Sequence, residues 1–302
     1  VEPGVSYFDL FKYIRENGLN LMLDVPDPGW GSPMGNSLDH GVGYTKGPYR
    51  DHFGSHIGLE IVSAEGELIR TGAGAIPGSD AWQDFHYGVG PSIDGLFAQS
   101  NFGVVTKMGV KLMPMPETFM NCTVTAPRYQ DLQAMIEEVN YLEDSLLVGM
   151  PFWGSPVGGG LFDASPITEL MQNGWPSVEQ LEEFVTAQNK HAWSVSFHLY
   201  GPEEIVHATW AAIQRRFRDK IPGVAFQEED LHNLPISDED IPALPDKALL
   251  GIPNLEIFHI VARNPMTDAD QPDGHADMFT MTERTAEGLH TAARTLAETF
   301  ID

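Results

Sequence analysis

Three glycine-dense segments fall in the first 118 residues, and they constrain this chain more than any other feature. The first runs Asp24-Val25-Pro26-Asp27-Pro28-Gly29-Trp30-Gly31-Ser32-Pro33-Met34-Gly35-Asn36, followed closely by His40-Gly41-Val42-Gly43-Tyr44-Thr45. The second is Arg70-Thr71-Gly72-Ala73-Gly74-Ala75-Ile76-Pro77-Gly78-Ser79, and the third extends from Tyr87 to Gly109. Glycine lets backbone approach a ligand closely and lets N–H groups point into a site, a chemistry that suits a pyrophosphate. The first segment is not a Walker loop, because no Gly-Lys-Ser/Thr ends it, nor a Rossmann fingerprint, because no helix clearly follows. Read alone it fits turns between strands as well as a ligand cradle. Three such segments so close together are more than ordinary turns require.

The chain changes character near Met113-Pro114-Met115-Pro116. Before it, glycines separate short strands: Leu59–Ser63 and Glu67–Arg70 flank Ala64-Glu65-Gly66 as a hairpin, and 104–112 is a further strand. A helix is expected over Tyr7–Asn17, with Phe8, Leu10, Phe11 and Ile14 as its apolar stripe. After the boundary, strands and helices follow one another. Strands are expected at Thr118–Ala126, Ala192–Tyr200, Val224–Gln227 and Ala276–Met281. Helices are expected at Tyr129–Leu142, from Pro202 through Phe217, and at Thr285–Phe300. Glu228–Asp246, broken by Pro235, Pro242 and Pro245, reads as an acidic surface loop, and Gly154–Gly160 as a second flexible stretch. The fold class is therefore α+β, an antiparallel sheet with helices on one face in the second part, with domains at 1–118 and 119–302.

The formal net charge of −26 sets a field that repels phosphate backbones and anionic lipid, which excludes nucleic acid and membrane surfaces as partners. Such acidity serves solubility, or docking of a basic electron-transfer partner. Cys122 is the sole cysteine, so there is no internal disulfide and no Cys-rich metal site. His52 and His56 are four apart but not on a helix, so they are not read as a metal pair, and no metal is expected. Asn121-Cys122-Thr123 has the form of a glycosylation sequon and carries no weight. No apolar run approaches the ~20 residues that span a bilayer. Val1-Glu2-Pro3-Gly4 has neither an initiator Met nor a signal-peptide pattern, and reads like the middle of a protein.

The three segments, in this order, resemble the FAD-binding domain of the vanillyl-alcohol oxidase and 4-cresol dehydrogenase family. The most specific stretch is Gly90-Pro91-Ser92-Ile93-Asp94-Gly95-Leu96-Phe97-Ala98-Gln99-Ser100-Asn101. The resemblance continues through Leu199-Tyr200-Gly201-Pro202-Glu203, Ile221-Pro222-Gly223-Val224 and Gly251-Ile252-Pro253. It implies the second half of an FAD-binding domain over 1–118, followed over 119–302 by a cap of antiparallel sheet and helices. It also implies a preceding phosphate-loop subdomain, a following flavin anchor, and a phenolate-binding Tyr/Arg cluster outside this chain.

The chemistry implied is oxidation of a para-substituted phenol bound as phenolate, with hydride passing from its benzylic carbon to the flavin and leaving a quinone methide. Asp27 matches the family's proposed base beside the flavin; read without the resemblance, it is equally a turn residue before Pro28. Pro28 and Trp30 depart from the family pattern and reshape the expected pocket. Pro26, Gly31, Ser32, Gly35, Asn36, Gly41, Gly43, Tyr44, Asn101, Gly103 and Val104 match cofactor-contacting positions. Each of them can equally be structural packing. The implied partners are a phenolic substrate and oxygen or a cytochrome as acceptor, in a homo-oligomer, cytoplasmic or, with a cytochrome, periplasmic. Two alternatives stand beside this reading: a relative acting on a hydroxy acid or sugar alcohol, and a non-catalytic chain.

Overall fold

A computed structural model describes residues 1–26, 28–155, 170–171, 174–188, 190–244, 246–256 and 281–300, without the side chains of 296–300. The chain forms two compact units, 1–115 with 235–277 and 116–234 with 278–302.

The first unit opens with helix α1, Tyr7–Glu16. Ser6 starts it as a capping box: its hydroxyl accepts from the Asp9 N–H at 3.1 Å and its own N–H donates to Asp9 at 2.9 Å. Tyr7 and Ile14 are its buried residues, packed with Leu23 and Val25. The apolar stripe read from the sequence omitted Tyr7, whose ring is buried because its hydroxyl finds partners inside. The short strand β1 (Leu21–Met22) pairs antiparallel with β5 (Met113–Pro114).

The expected hairpin is present. Strands β2 (His56–Ser63) and β3 (Leu68–Arg70) turn at Gly66, whose φ of 82° suits glycine. Strand β4 (Gly103–Val110) flanks β2 on its other side, giving the order β3-β2-β4, all antiparallel. Leu59 and Ile61 bury one face with Val105, Met108, Met34 and Phe97. Between them Glu60 is also buried, which a carboxylate tolerates here because Arg70 donates to it at 2.7 Å and Lys107 lies at 3.7 Å.

The second unit is built on β6, Thr118–Ala126. It pairs along its whole length with β8 (Trp193–Gly201), and its other edge takes β9 (Ala225–Glu228) and β10 (His232–Asn233) in succession. Strand β7 (Phe152–Gly154) closes the far side of β8. Met120, Cys122, Val124 and Ala126 alternate onto one face with Val195, Phe197 and Leu199. Onto that face pack the stripes of Leu132–Asp144, Val178–Ala187 and Glu203–Lys220, through Met135, Val139, Leu181, Val206, Trp210, Ile213 and Phe217. Glu138, 1% exposed, is held between Arg216 and Lys220, each at 2.6 Å. A last helix, Ala286–Phe300, completes the described part.

Two expectations need correction. Glu228–Asp246 is not loop throughout: His232–Asn233 adds a two-residue strand to the free stretch of β6, too short to show as alternation. Pro202 is the N-cap of its helix, one place before the first helical residue. The strand expected over 276–281 lies, but for Met281, outside the described residues, as do Gly160 and most of the stretch before it.

Candidate functional site

The first glycine-dense segment runs from β1 into a short helix, Pro33–Leu38, capped by Ser32, whose hydroxyl accepts from the Gly35 N–H at 3.3 Å. The sequence reading found no helix here; at six residues it is too short for periodicity to reveal, and the Ser32-Pro33 start is its only local sign. Pro26 is half-buried, and Asp27 lies outside the described residues. Gly29 is fixed on both sides: its N–H donates to the Asn254 carbonyl at 2.8 Å, and a Cβ there would lie 2.7 Å from the Phe8 ring and 2.9 Å from Pro253. The Gly31 carbonyl accepts from the Tyr7 N–H at 3.0 Å.

Beneath this loop sits a buried polar network. Asp24 accepts from the Thr45 N–H at 2.8 Å, from the Thr45 hydroxyl, and from His52 Nε2 at 2.9 Å. With Nε2 carrying the proton, His52 Nδ1 is an acceptor, and Asn36 Nδ2 lies 2.5 Å from it. The same Asn36 amide donates to the Tyr7 hydroxyl at 3.0 Å. Burial, together with the nearby Asp24 charge and against the Asn36 hydrogen bond, raises the Tyr7 pKa well above its ordinary value, so the phenol stays protonated.

This network explains two glycines directly. A Cβ on Gly43 would lie 1.3 Å from Asp24 Oδ1, and one on Gly41 would lie 1.6 Å from Asn36 Oδ1. Both are spaces for the protein's own polar side chains. Gly35 differs: it is exposed, and a Cβ there would meet only Ser32, at 3.5 Å.

His56 has a carboxylate of its own, Asp94, at 2.8 Å from Nε2, and both side chains are buried. Burial opposes the charge on His56, but the hydrogen bonds to Asp94 and the Phe53 carbonyl, with the charges of Asp94 and Asp51, outweigh it and raise its pKa. Burial likewise opposes ionisation of Asp94, and the hydrogen bonds from His56 and Thr71, with the charges of His56 and His86, outweigh it and lower its pKa. The two histidines four residues apart thus serve two separate carboxylates. Among the described residues no group of three His, Cys, Asp or Glu is placed to hold a metal.

The third segment meets the first at Gln99, whose N–H donates to the Leu38 carbonyl at 3.0 Å and whose amide donates to Asp39 at 3.0 Å. Gln99 and His40, on either side of this contact, both have positive φ, at 47° and 56°, a backbone cost that only a fixed local structure sustains. Beyond it Asn101 is exposed, Gly103 sits with its Cα face against Ile61, and Val104 is 67% exposed on a strand whose other face is core. Tyr44 is half-buried beside Gly43. Gly35, Asn101 and Val104 are thus each open to solvent. Asp24, His52, His56 and Asp94 were missed as a set by sequence reasoning; their only local sign is ionisable residues amid apolar runs.

The FAD binding domain family profile matches residues 1–72. The 4-cresol dehydrogenase [hydroxylating] flavoprotein subunit of Pseudomonas putida is 33% identical over 266 residues, covering 85% of this chain and 49% of that protein. Among solved structures, a 4-ethylphenol oxidase from Gulosibacter chungangensis in complex with isoeugenol aligns with a TM-score of 0.62 at 33% identity, over 84% of this chain and 49% of that one. A p-cresol methylhydroxylase with substrate bound aligns with a TM-score of 0.64 at 30% identity, over 85% and 49%. The chain thus spans about half the length of these relatives. Residues 1–72 thus match an FAD binding domain, and the chain is similar over most of its length to flavoproteins of the oxidoreductase kind. Within that class the chain resembles the vanillyl-alcohol oxidase and 4-cresol dehydrogenase family, across most of its length. Among the described residues no helix is long and apolar enough to cross a membrane.

Proposed function

We propose that this chain is part of an FAD-dependent oxidoreductase that oxidises para-substituted phenols, 4-hydroxybenzylic alcohols and 4-alkylphenols. The observation that carries the proposal is the 33% identity to the 4-cresol dehydrogenase flavoprotein subunit over 85% of the chain. Residues 1–118 supply part of the FAD-binding domain and 119–302 the cap over the substrate. Pro26, Gly31, Ser32, Gly35, Asn36, Asn101, Gly103, Val104 and Tyr44 hold the cofactor, with Gly41 and Gly43 contributing through the polar network they admit. Bound FAD supplies the acceptor for a hydride from the benzylic carbon. Asp27 is the base, taking a proton from the substrate or from the water that adds to the resulting quinone methide. The reduced protein passes its electrons to oxygen or to a cytochrome, and the −26 charge suits a basic acceptor protein.

The test is anaerobic mixing of the full-length flavoprotein with 4-cresol, vanillyl alcohol and eugenol. Loss of the yellow oxidised-flavin absorbance with at least one phenol is the expected result. Bleaching by lactate or glycolate but by none of the phenols would overturn the substrate assignment.

A further inference from the structure

Within the second unit, the turn at Tyr129–Asp131, strands β7 and β8 and the helix Ala286–Phe300 border a cavity of about 160 Å³. Three indoles, Trp153, Trp175 and Trp193, form much of its wall, with Met171, Tyr129 and His290. Its lining holds no Asp, Glu, Lys or Arg among the described residues. The space is partly open, and its described wall is mainly apolar and aromatic. An apolar cavity of roughly 150 Å³ is enough to hold a benzene ring.

The polar atoms at the wall are few and ordered. Trp193 Nε1 donates to the Tyr129 carbonyl at 2.8 Å, and that indole N–H is thereby used. The Tyr129 hydroxyl lies 2.9 Å from His290 Nδ1, with the two rings 5.1 Å apart. Burial, aided by the Glu182 charge, raises the Tyr129 pKa, and burial lowers that of His290. In the tautomer with the proton on His290 Nε2, the Tyr129 hydroxyl donates to Nδ1. Among the described residues Nε2 makes no hydrogen bond.

We propose that this cavity binds a small, uncharged, single-ring aromatic molecule carrying one hydroxyl or ether oxygen, its ring against the three indoles and its oxygen accepting from His290 Nε2. Carboxylates and sugars are poor ligands for such a wall, the first because its charge would be buried unpaired, the second because most of its hydroxyls would be. The inference rests on the second unit alone and stands whether or not the flavin reading holds.

The probe is 4-bromophenol, which has no benzylic hydrogen to lose. Crystals of the full-length protein grown with it should show an anomalous bromine peak between Trp153, Trp175 and Trp193. In solution, calorimetry should show a binding event that Ala293→Phe, which fills the cavity from the helix, abolishes. His290→Leu should weaken 4-bromophenol by about tenfold, the scale of one lost hydrogen bond, and leave bromobenzene unchanged. Thermal melts confirm that both variants are folded, and Leu289→Trp is the second filling variant if Ala293→Phe is not. Bromine absent from the cavity, binding at crystal concentration only, or titrations indifferent to the filling variant would each overturn the proposal.

Discussion

His52 Nε2 lies 2.9 Å from Asp24 Oδ1 in the interior of the first unit, with both side chains almost fully covered. Asp24 is three residues before Asp27, and His52 is 28 residues further along, so this one contact ties the start of the glycine-rich loop to its end. Replacing Asp24 by Leu leaves the Thr45 N–H and His52 without their acceptor. The expected loss is about 3 kcal/mol, read as a lower denaturant midpoint at unchanged m-value.

Gly43→Ala should destabilise through the same contact, because the added methyl overlaps Asp24 Oδ1. Combined with Asp24→Ala the two losses should be strongly non-additive, since the shorter side chain vacates the overlap. Additive unfolding energies would show that Gly43 serves some other purpose.

Asp27→Asn in the full-length protein should lower kcat with 4-cresol by about 10²- to 10⁴-fold, the usual worth of a positioned general base. Bound flavin and melting temperature should stay as in the parent. Full activity in the variant would remove Asp27 from the chemistry.

The His56–Asp94 pair gives the unit a pH signature. The raised pKa of His56 means its contribution is complete below the ordinary histidine value of 6.5 and disappears as pH climbs through the folded value. The lowered pKa of Asp94 means its contribution is complete above 3.8 and disappears as pH drops through the folded value. The stability difference between the parent and Asp94→Asn should therefore be largest between these limits and shrink toward alkaline pH. Urea titrations at a series of pH values measure it, and a difference that grows above neutrality would contradict the pairing.

Trimming Phe197 to Ala should cost about 3–5 kcal/mol, because its ring is wholly enclosed between the sheet and Trp210. Chemical denaturation of the second unit reports it.

Local pattern carried the second unit well. Thr118–Ala126 alternates, and Met135, Val139 and Leu142 recur at helical spacing, so each element shows which face it buries. The glycine motifs carried the family resemblance. What they did not carry was the reason for individual glycines: Gly41 and Gly43 are small because Asn36 and Asp24 occupy the space, a fact about partners 5 and 19 residues away. The pairing of His52 with Asp24 and of His56 with Asp94 was hidden for the same cause, since burial of a charge depends on what the fold brings to it. His232–Asn233 escaped because two residues hold no period.

The hydrogen bond from Gly29 to the Asn254 carbonyl has a consequence for biosynthesis. Roughly 225 residues separate the two, so at about 5–20 residues per second the ribosome needs on the order of ten seconds or more to deliver the second partner after the first. During that interval the nascent loop around Asp27 waits without its lock, and the intervening sheet of β6 and β8 can already have formed. An early stop before Asn254 would therefore release a chain whose β6–β8 sheet is made but lacks its last helix, and whose glycine-rich loop has no lock at all.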